Sequence, residues 1–196
     1  HLFNNKQHIY RLTAGDVLSI QLWAYPEITP PIQDISNIKA AGYPIDPNGN
    51  VYLPLLGQVK VAGKTLAETN QYLRSQFSRY LKHPDVVVRV LSYEGRRYFV
   101  NGQVMRSGQY TLNDQPISLY TALGQAGGVN TETGDNTNIQ LIRNGQTFNL
   151  NTISLEKQGL SLHNLLIQPN DTIFVNTKQD QKLYILGVIR NALSYD

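Results

Sequence analysis

The stretch "IDPNGNVYLPLLGQVKVAGKTLAE", from Ile45 to Glu68, leaves little freedom in how it folds. Asp46-Pro47-Asn48-Gly49 is strong turn chemistry, because Asn and Gly both accept positive φ. Val51 to Leu55, which contains Pro54, and Gln58 to Val61 read as short strands around Gly57. Gly63 then leads into Thr65-x-x-Glu68. That spacing makes a capping box, in which each side chain satisfies a backbone donor at a helix start. Leu66, Leu73, Phe77 and Leu81 follow at helical spacing, so the pattern predicts an amphipathic helix over Thr65–Lys82, stopped by Pro84. Turn, two strands and a capped helix are therefore expected within some forty residues.

The flanks extend this unit. "YRLTAGDVLSIQLW", from Tyr10, reads as a turn at Gly15-Asp16 and then a strand. Leu18, Ile20 and Leu22 share one face of it, the period-two signal of a half-buried strand. Pro26, Pro30 and Pro31 mark a loop after it, since proline lacks the ladder donor. "DVVVRVLSY" after Pro84 is a strand whose β-branched run argues for burial. The first module is thus β–(loop)–β–β–α–β, and "EGRR" at 94–97 is its expected boundary.

A second module follows. "YFVNGQVMRSGQY" supplies a strand over Tyr98–Val104, a turn and a return. Pro116 and Ser118 open a helix through Ala126, ended by Gly127-Gly128, a common C-terminal cap. "NIQLIRNGQTFNLN" is a hairpin around Asn144-Gly145, the favoured two-residue turn. Pro169-Asn170 turns the chain into a strand from Thr172 to Val175. Near the end, "LYILGVIRNALSYD" runs in step with the start of this module, Gly187 falling on Gly102 and Tyr195 on Tyr110. That repeat reads as the opening of another copy. The expected organisation is α+β, with modules over 1–94 and 95–178 and a third begun at 179–196.

Several chemical classes find little support. There is no cysteine, which removes disulfides, thiolate metal sites and cysteine nucleophiles. Lys and Arg number 17 against 14 Asp and Glu, for a net charge of +3, without a basic block; nucleic-acid binding usually shows one. No run approaches the roughly 18 apolar residues of a membrane-spanning helix. "GQVKVAGKT" is a poor phosphate loop: five residues separate Gly57 from Gly63 where four are needed, and Val59 and Val61 alternate as in a strand. The glycines at 127 and 128 sit at a helix end that repels anions. His1, His8, His83 and His163 lack zinc-ligand spacing. Asp16, Asp46, Asp114 and Asp171 each neighbour Gly, Pro or Asn and read as turn-formers. No serine stands in a nucleophile elbow. Trp23 and Tyr25 offer faces for a sugar or partner, but packing within the fold is the default for strand aromatics. Asn170-Asp171-Thr172 matches a glycosylation acceptor, and the turn accounts for it. No enzyme signature, cofactor site or metal site emerges.

The order of these segments resembles the Wza-like family of outer-membrane polysaccharide export proteins. "YRLTAGDVLSIQLW" is similar to that family's opening motif, and "DPNGNVYLPLLGQVKVAGKTLAE" to its most specific signature. "NGQVMRSGQY", "TALGQAGGV" and "LIQPNDTIFV" resemble the soluble-ligand-binding β-grasp repeat that follows the export module. The positions carrying the match are Gly15, Asp16, Asp46, Gly49, Pro54, Gly57, Gly63, Thr65, Glu68, Gly102, Gly108, Gly127, Gly128, Pro169 and Asp171. Two departures are small: Ser107 stands where Pro is frequent, and Asn170 where Gly is usual. Family members also carry a lipidated N-terminal cysteine, a further β-grasp copy and a C-terminal amphipathic helix, so the resemblance implies a piece of a longer lipoprotein. The final strand would open that further copy, or pair within the preceding module or with a neighbouring protomer, because an orphan strand leaves an open edge.

The resemblance implies a passive function at the periplasmic face of the outer membrane of a Gram-negative cell. Members form rings, octameric in the best-known cases, whose stacked modules enclose a cavity and whose helices cross the outer membrane. Capsular polysaccharide or exopolysaccharide passes through without chemistry. The export module faces an inner-membrane polysaccharide copolymerase, often a tyrosine autokinase. The piece itself is expected to be monomeric or weakly associated. Two other classes stand beside this one: a monomeric periplasmic carbohydrate-binding module, with Trp23 or Tyr25 in a pocket, and a hydrolase of the exported polymer.

Overall fold

A computed structural model describes residues 2–3, 9–32 and 36–178. The strand expected from Gln181, together with Gly187, lies outside the described residues. The contacts divide the chain between Arg96 and Arg97 into two compact units, with Leu2 and Phe3 belonging to the second. The fold is α+β.

In the first unit, β1 (Val17–Leu22) lies between β2 (Tyr43–Pro44) and β5 (Val86–Ser92), both antiparallel to it. Its register sets Leu18, Ile20 and Leu22 opposite Val90, Val88 and Val86. The apolar face of β1 is buried as the alternation requires. The other face is covered too at Val17 and Ser19. A close backbone approach explains this: a Cβ on Gly42 would stand 2.7 Å from a Val17 methyl and 2.8 Å from the Leu18 carbonyl. The segment containing the short α1 (Ile38–Ala41) thus packs directly on β1. Neither α1 nor β2 has a periodic signature in the sequence. The β-branched strand β5 is only half-buried, with Val86 and Val88 inward.

β3 (Asn50–Leu53) and β4 (Gly57–Lys60), the two short strands expected around Gly57, pair as an antiparallel hairpin. Helix α2 (Leu66–Phe77) buries Thr69, Leu73 and Phe77. It ends at Phe77, ahead of the expected Lys82. Pro84 disfavours the helical region for the residue before it, and His83 sits at φ 48°. The chain therefore leaves the helix early, through turns in which the Tyr80 and Leu81 amides both donate to the Phe77 carbonyl. Leu81 still packs on the core. The capping box is half formed. Thr65 Oγ1 accepts from the Glu68 amide at 3.1 Å, while the Glu68 carboxylate turns to Arg11 at 3.6 Å. That charge pairing competes with the return bond.

The second unit is a five-stranded sheet in the order β7-β6-β10-β8-β9. The strands are β6 (Arg97–Gly102), β7 (Gly108–Thr111), β8 (Gly134–Arg143), β9 (Gln146–Asn151) and β10 (Thr172–Thr177). Among the described strands, only β6 and β10 pair in parallel. Helix α3 (Leu119–Gln125) starts at Ser118, whose hydroxyl accepts from the Thr121 amide at 3.2 Å. Its end is a Schellman arrangement, with Gly128 N donating to the Leu123 carbonyl and Gly127 N to that of Gly124. Leu119, Ala122 and Leu123 join Tyr98, Val100, Ile139, Leu141 and Ile173 in one core. Helix α4 (Thr152–Lys157) and a 3-10 turn at Leu162–Asn164 also belong to the unit.

Candidate functional site

The landmark residues of the sequence do not converge on one reactive centre; they form turns and anchors in both units. Asp46 is a turn-former as expected, its Oδ1 accepting from the amides of Asn48 and Asn50 at 2.9 Å each. Gly49 closes that turn at φ 86°. Pro54 lies in the loop between β3 and β4, Gly57 opens β4, and Gly63 precedes the helix cap. Arg11 reaches across to the Gly63 carbonyl at 2.9 Å. The segment "GQVKVAGKT" is thus a hairpin strand, a turn and a cap, with no phosphate cradle.

Asp16 and Asp171 are more than turn-formers. Asp16 is fully buried. It accepts from the Tyr10 hydroxyl, from the Thr13 amide at 3.2 Å, and from the Gly95 amide at 2.9 Å. It therefore ties the start of the first unit to its last residues. Arg96 lies 4.4 Å over the Tyr10 ring, and Tyr93 meets that ring edge-on. Burial, then the bond to Asp16, raises the Tyr10 phenol well above its ordinary value.

Asp171, 1% exposed, holds Arg143 in a fork: Nε to Oδ1 at 2.9 Å and Nη2 to Oδ2 at 2.7 Å. Oδ2 also accepts from the Gln168 amide at 2.7 Å, and Nη2 donates to the Leu166 carbonyl at 3.0 Å. The turn before β10 is thereby locked to the end of β8. Pro169 and Asn170 form its corner, Asn170 at φ 69°, the left-handed conformation that asparagine tolerates. No short-range pattern marks Arg143 as the partner of Asp171.

Gly102 has a steric reason. At φ 84°, a Cβ there would stand 2.2 Å from the Val175 carbonyl oxygen, where β6 and β10 run side by side. Gly108 opens β7, and Gly127 and Gly128 end α3.

Among the described residues, no group of three or more His, Asp or Glu is placed to hold a metal ion. Asp114 lies on an exposed turn. Asp135 has its carboxyl held below the usual range, chiefly by the Thr137 hydroxyl at 2.6 Å, a structural bond within β8. His163 stacks on Tyr120 with centroids 3.9 Å apart.

The aromatic surface departs from expectation. Trp23 does not pack; it is 69% exposed just beyond the end of β1, where the strand leaves the sheet. Tyr25 is partly buried, and its hydroxyl donates to the Lys82 carbonyl at 2.9 Å. Tyr52 and Tyr80 are exposed on the same unit. Among the described residues no helix is long and apolar enough to cross a membrane.

Comparison with known proteins covers most of the chain. Residues 4–91 match the polysaccharide biosynthesis/export protein family, and residues 96–175 match the SLBB domain. An EPS I polysaccharide export outer membrane protein, EpsA of Ralstonia nicotianae, is 36% identical over 192 residues, which is 92% of this chain and 50% of that protein. The polysialic acid transport protein KpsD of Escherichia coli is 30% identical over 194 residues, 95% of this chain and 31% of KpsD. The capsule polysaccharide export outer membrane protein CtrA of Neisseria meningitidis is 24% identical over 178 residues, 85% of this chain and 44% of CtrA. The chain thus spans about half the length, or less, of these relatives. Both halves match in the order that their turns and strands set out, and the chain belongs to the Wza-like family of polysaccharide export proteins.

Proposed function

We propose that this chain is the periplasmic part of an outer-membrane translocon that conducts capsular polysaccharide or exopolysaccharide out of a Gram-negative cell. One observation carries the reading: a 36% identity that runs through both units of the chain into a protein named for polysaccharide export at the outer membrane. The full-length protein forms a ring, octameric by resemblance to its family. The polymer is a passenger and undergoes no chemistry. The first unit faces an inner-membrane copolymerase, and a lipid anchor and terminal helix hold the full-length protein in the outer membrane.

The surface supports a conduit. A conduit wall needs many weak polar contacts, because tight sites stall a moving chain. The buried aspartates are spent on structural bonds, and the exposed side chains are mixed polar and aromatic.

Native mass spectrometry of the full-length lipidated protein in detergent, beside the 196-residue chain, tests the assembly. A closed ring from the long form is the expected result, with the shorter chain monomeric. Monomers from both would sink the ring and leave a carbohydrate-binding module as the better account. Deleting the gene and assaying surface polysaccharide tests the transport role, and an unchanged surface would end it.

A further inference from the structure

We propose that the tip of the β8–β9 hairpin carries a saccharide subsite that takes an uncharged pyranose unit. A cleft of about 420 Å³ opens there, lined by Leu2, Arg143, Asn144, Gln146, Phe148 and Gln168. Ligand pockets generally begin near about 300 Å³. The subsite rests on the conduit reading, since the passenger polymer is its ligand.

Strand register builds the site. Arg143 pairs with Gln146, and Leu141 with Phe148. Alternation in β8 and β9 puts all four side chains on one face of the hairpin. Leu141 is fully buried in the core and Phe148 packs partly against it. Toward the Asn144-Gly145 turn this face runs beyond the core, leaving Phe148 and Leu2 as apolar wall and Arg143 and Gln146 as polar wall.

The arginine is preorganised. Its side chain is 12% exposed, with Nε and Nη2 committed to Asp171 and the Leu166 carbonyl. Among the described residues nothing accepts from Nη1, which leaves that edge of a rigid guanidinium for a ligand oxygen. The carboxylate behind it cancels the charge, and among the described lining residues no other is ionisable. A carboxylate or phosphate ligand would find no net attraction there. Asn144, Gln146 and Gln168 offer side-chain amides that both donate and accept, as sugar hydroxyls do. Phe148 and Leu2 match the C–H face of a pyranose ring. One fixed donor, three amides and a partial apolar wall suit a loosely held, hydroxyl-rich ligand.

The test is an NMR titration of the 196-residue chain. The probes are neutral tetrasaccharides of gluco, galacto, manno and N-acetylglucosamine type, with tri-galacturonate as the acidic comparator. At least one neutral probe is expected to shift the amides of Arg143, Gln146, Phe148 and Gln168, with a Kd of about 1 mM. Gln146→Ala, at an exposed position, weakens that binding by about fivefold or more and leaves the rest of the spectrum unchanged. Arg143→Lys also removes the open guanidinium edge, but it disturbs the Asp171 fork, so Gln146→Ala carries the decision. Three results overturn the subsite: no shift at these amides with any neutral probe, preference for tri-galacturonate, or saturable binding centred on Trp23. The gene deletion described above separates the two readings. Unchanged surface polysaccharide ends the conduit reading whatever the titration shows, and a failed titration with polysaccharide lost on deletion removes only the subsite.

Discussion

The two units use a buried aspartate in different ways. Both Asp16 and Asp171 follow a turn residue and precede a strand, and both are 1% exposed or less. Asp16 is satisfied by a phenol and two amides, with Arg96 nearby on the Tyr10 ring. Asp171 is satisfied by a guanidinium in a fork and one amide. The first arrangement depends on backbone donors from both ends of its unit. The second depends on one opposite charge from a strand far along the chain. A buried charge that loses its counterion costs about 3–5 kcal/mol in one step, whereas neutral donors that lose an acceptor cost about 1–3 kcal/mol each. The same local signal thus rests on one counter-charge in one unit and on several neutral donors in the other.

The largest effect is expected at Arg143. Arg143→Met leaves Asp171 buried and unpaired, and costs about 3–5 kcal/mol in urea unfolding. Adding Asp171→Leu restores much of it. A double variant no better than the single one would break the comparison, because the charge would not be what matters.

Asp16→Ala comes next, at about 3 kcal/mol, from the Tyr10 hydroxyl and two amides left without their acceptor. Amide exchange at Thr13 and Gly95 should accelerate in this variant while the second unit keeps its protection. Equal loss in both units would show that the anchor is not local.

The third effect is a pH window of about 2 kcal/mol. Burial, and the neighbouring Tyr110 behind it, push the Tyr98 phenol up to about 12. A raised value means that folding favours the protonated phenol. Its stability contribution is therefore complete below the unfolded value near 10, and is lost as pH rises toward about 12. Urea midpoints of the second unit at pH 9 and pH 11.5 should differ more in the natural chain than in Tyr98→Phe. Equal differences would remove Tyr98 from the comparison.

The smallest effects probe the half-formed cap. Thr65→Ala is expected to cost about 1 kcal/mol, since it removes the acceptor for the Glu68 amide. Glu68→Ala should cost under about 0.5 kcal/mol, because its partner is the exposed Arg11. A Glu68 loss matching that of Thr65 would mean the box closes in solution.

Local chemistry was legible in the sequence wherever neighbours along the chain decide the outcome. The Asp46–Gly49 turn, the Asn144-Gly145 hairpin and the Gly127-Gly128 cap needed only residues within a few positions. Helix α2 was legible at its start and not at its end, because Pro84 acts backward through His83 while Leu81 packs without helical backbone. Trp23 was misread for a similar reason: alternation describes a strand and does not say where the sheet stops.

The order of turns, strands and caps, and through it the family, was already written in the residues. Those are short-range preferences of φ, of hydrogen-bonding side chains and of apolar spacing. Only the tertiary structure decided the partners of the buried groups. It joined Asp171 to Arg143, brought Gly95 to Asp16 and set Val175 against Gly102. Each of these joins residues far apart in the chain, and which of many equivalent donors arrives is fixed only when the sheets close.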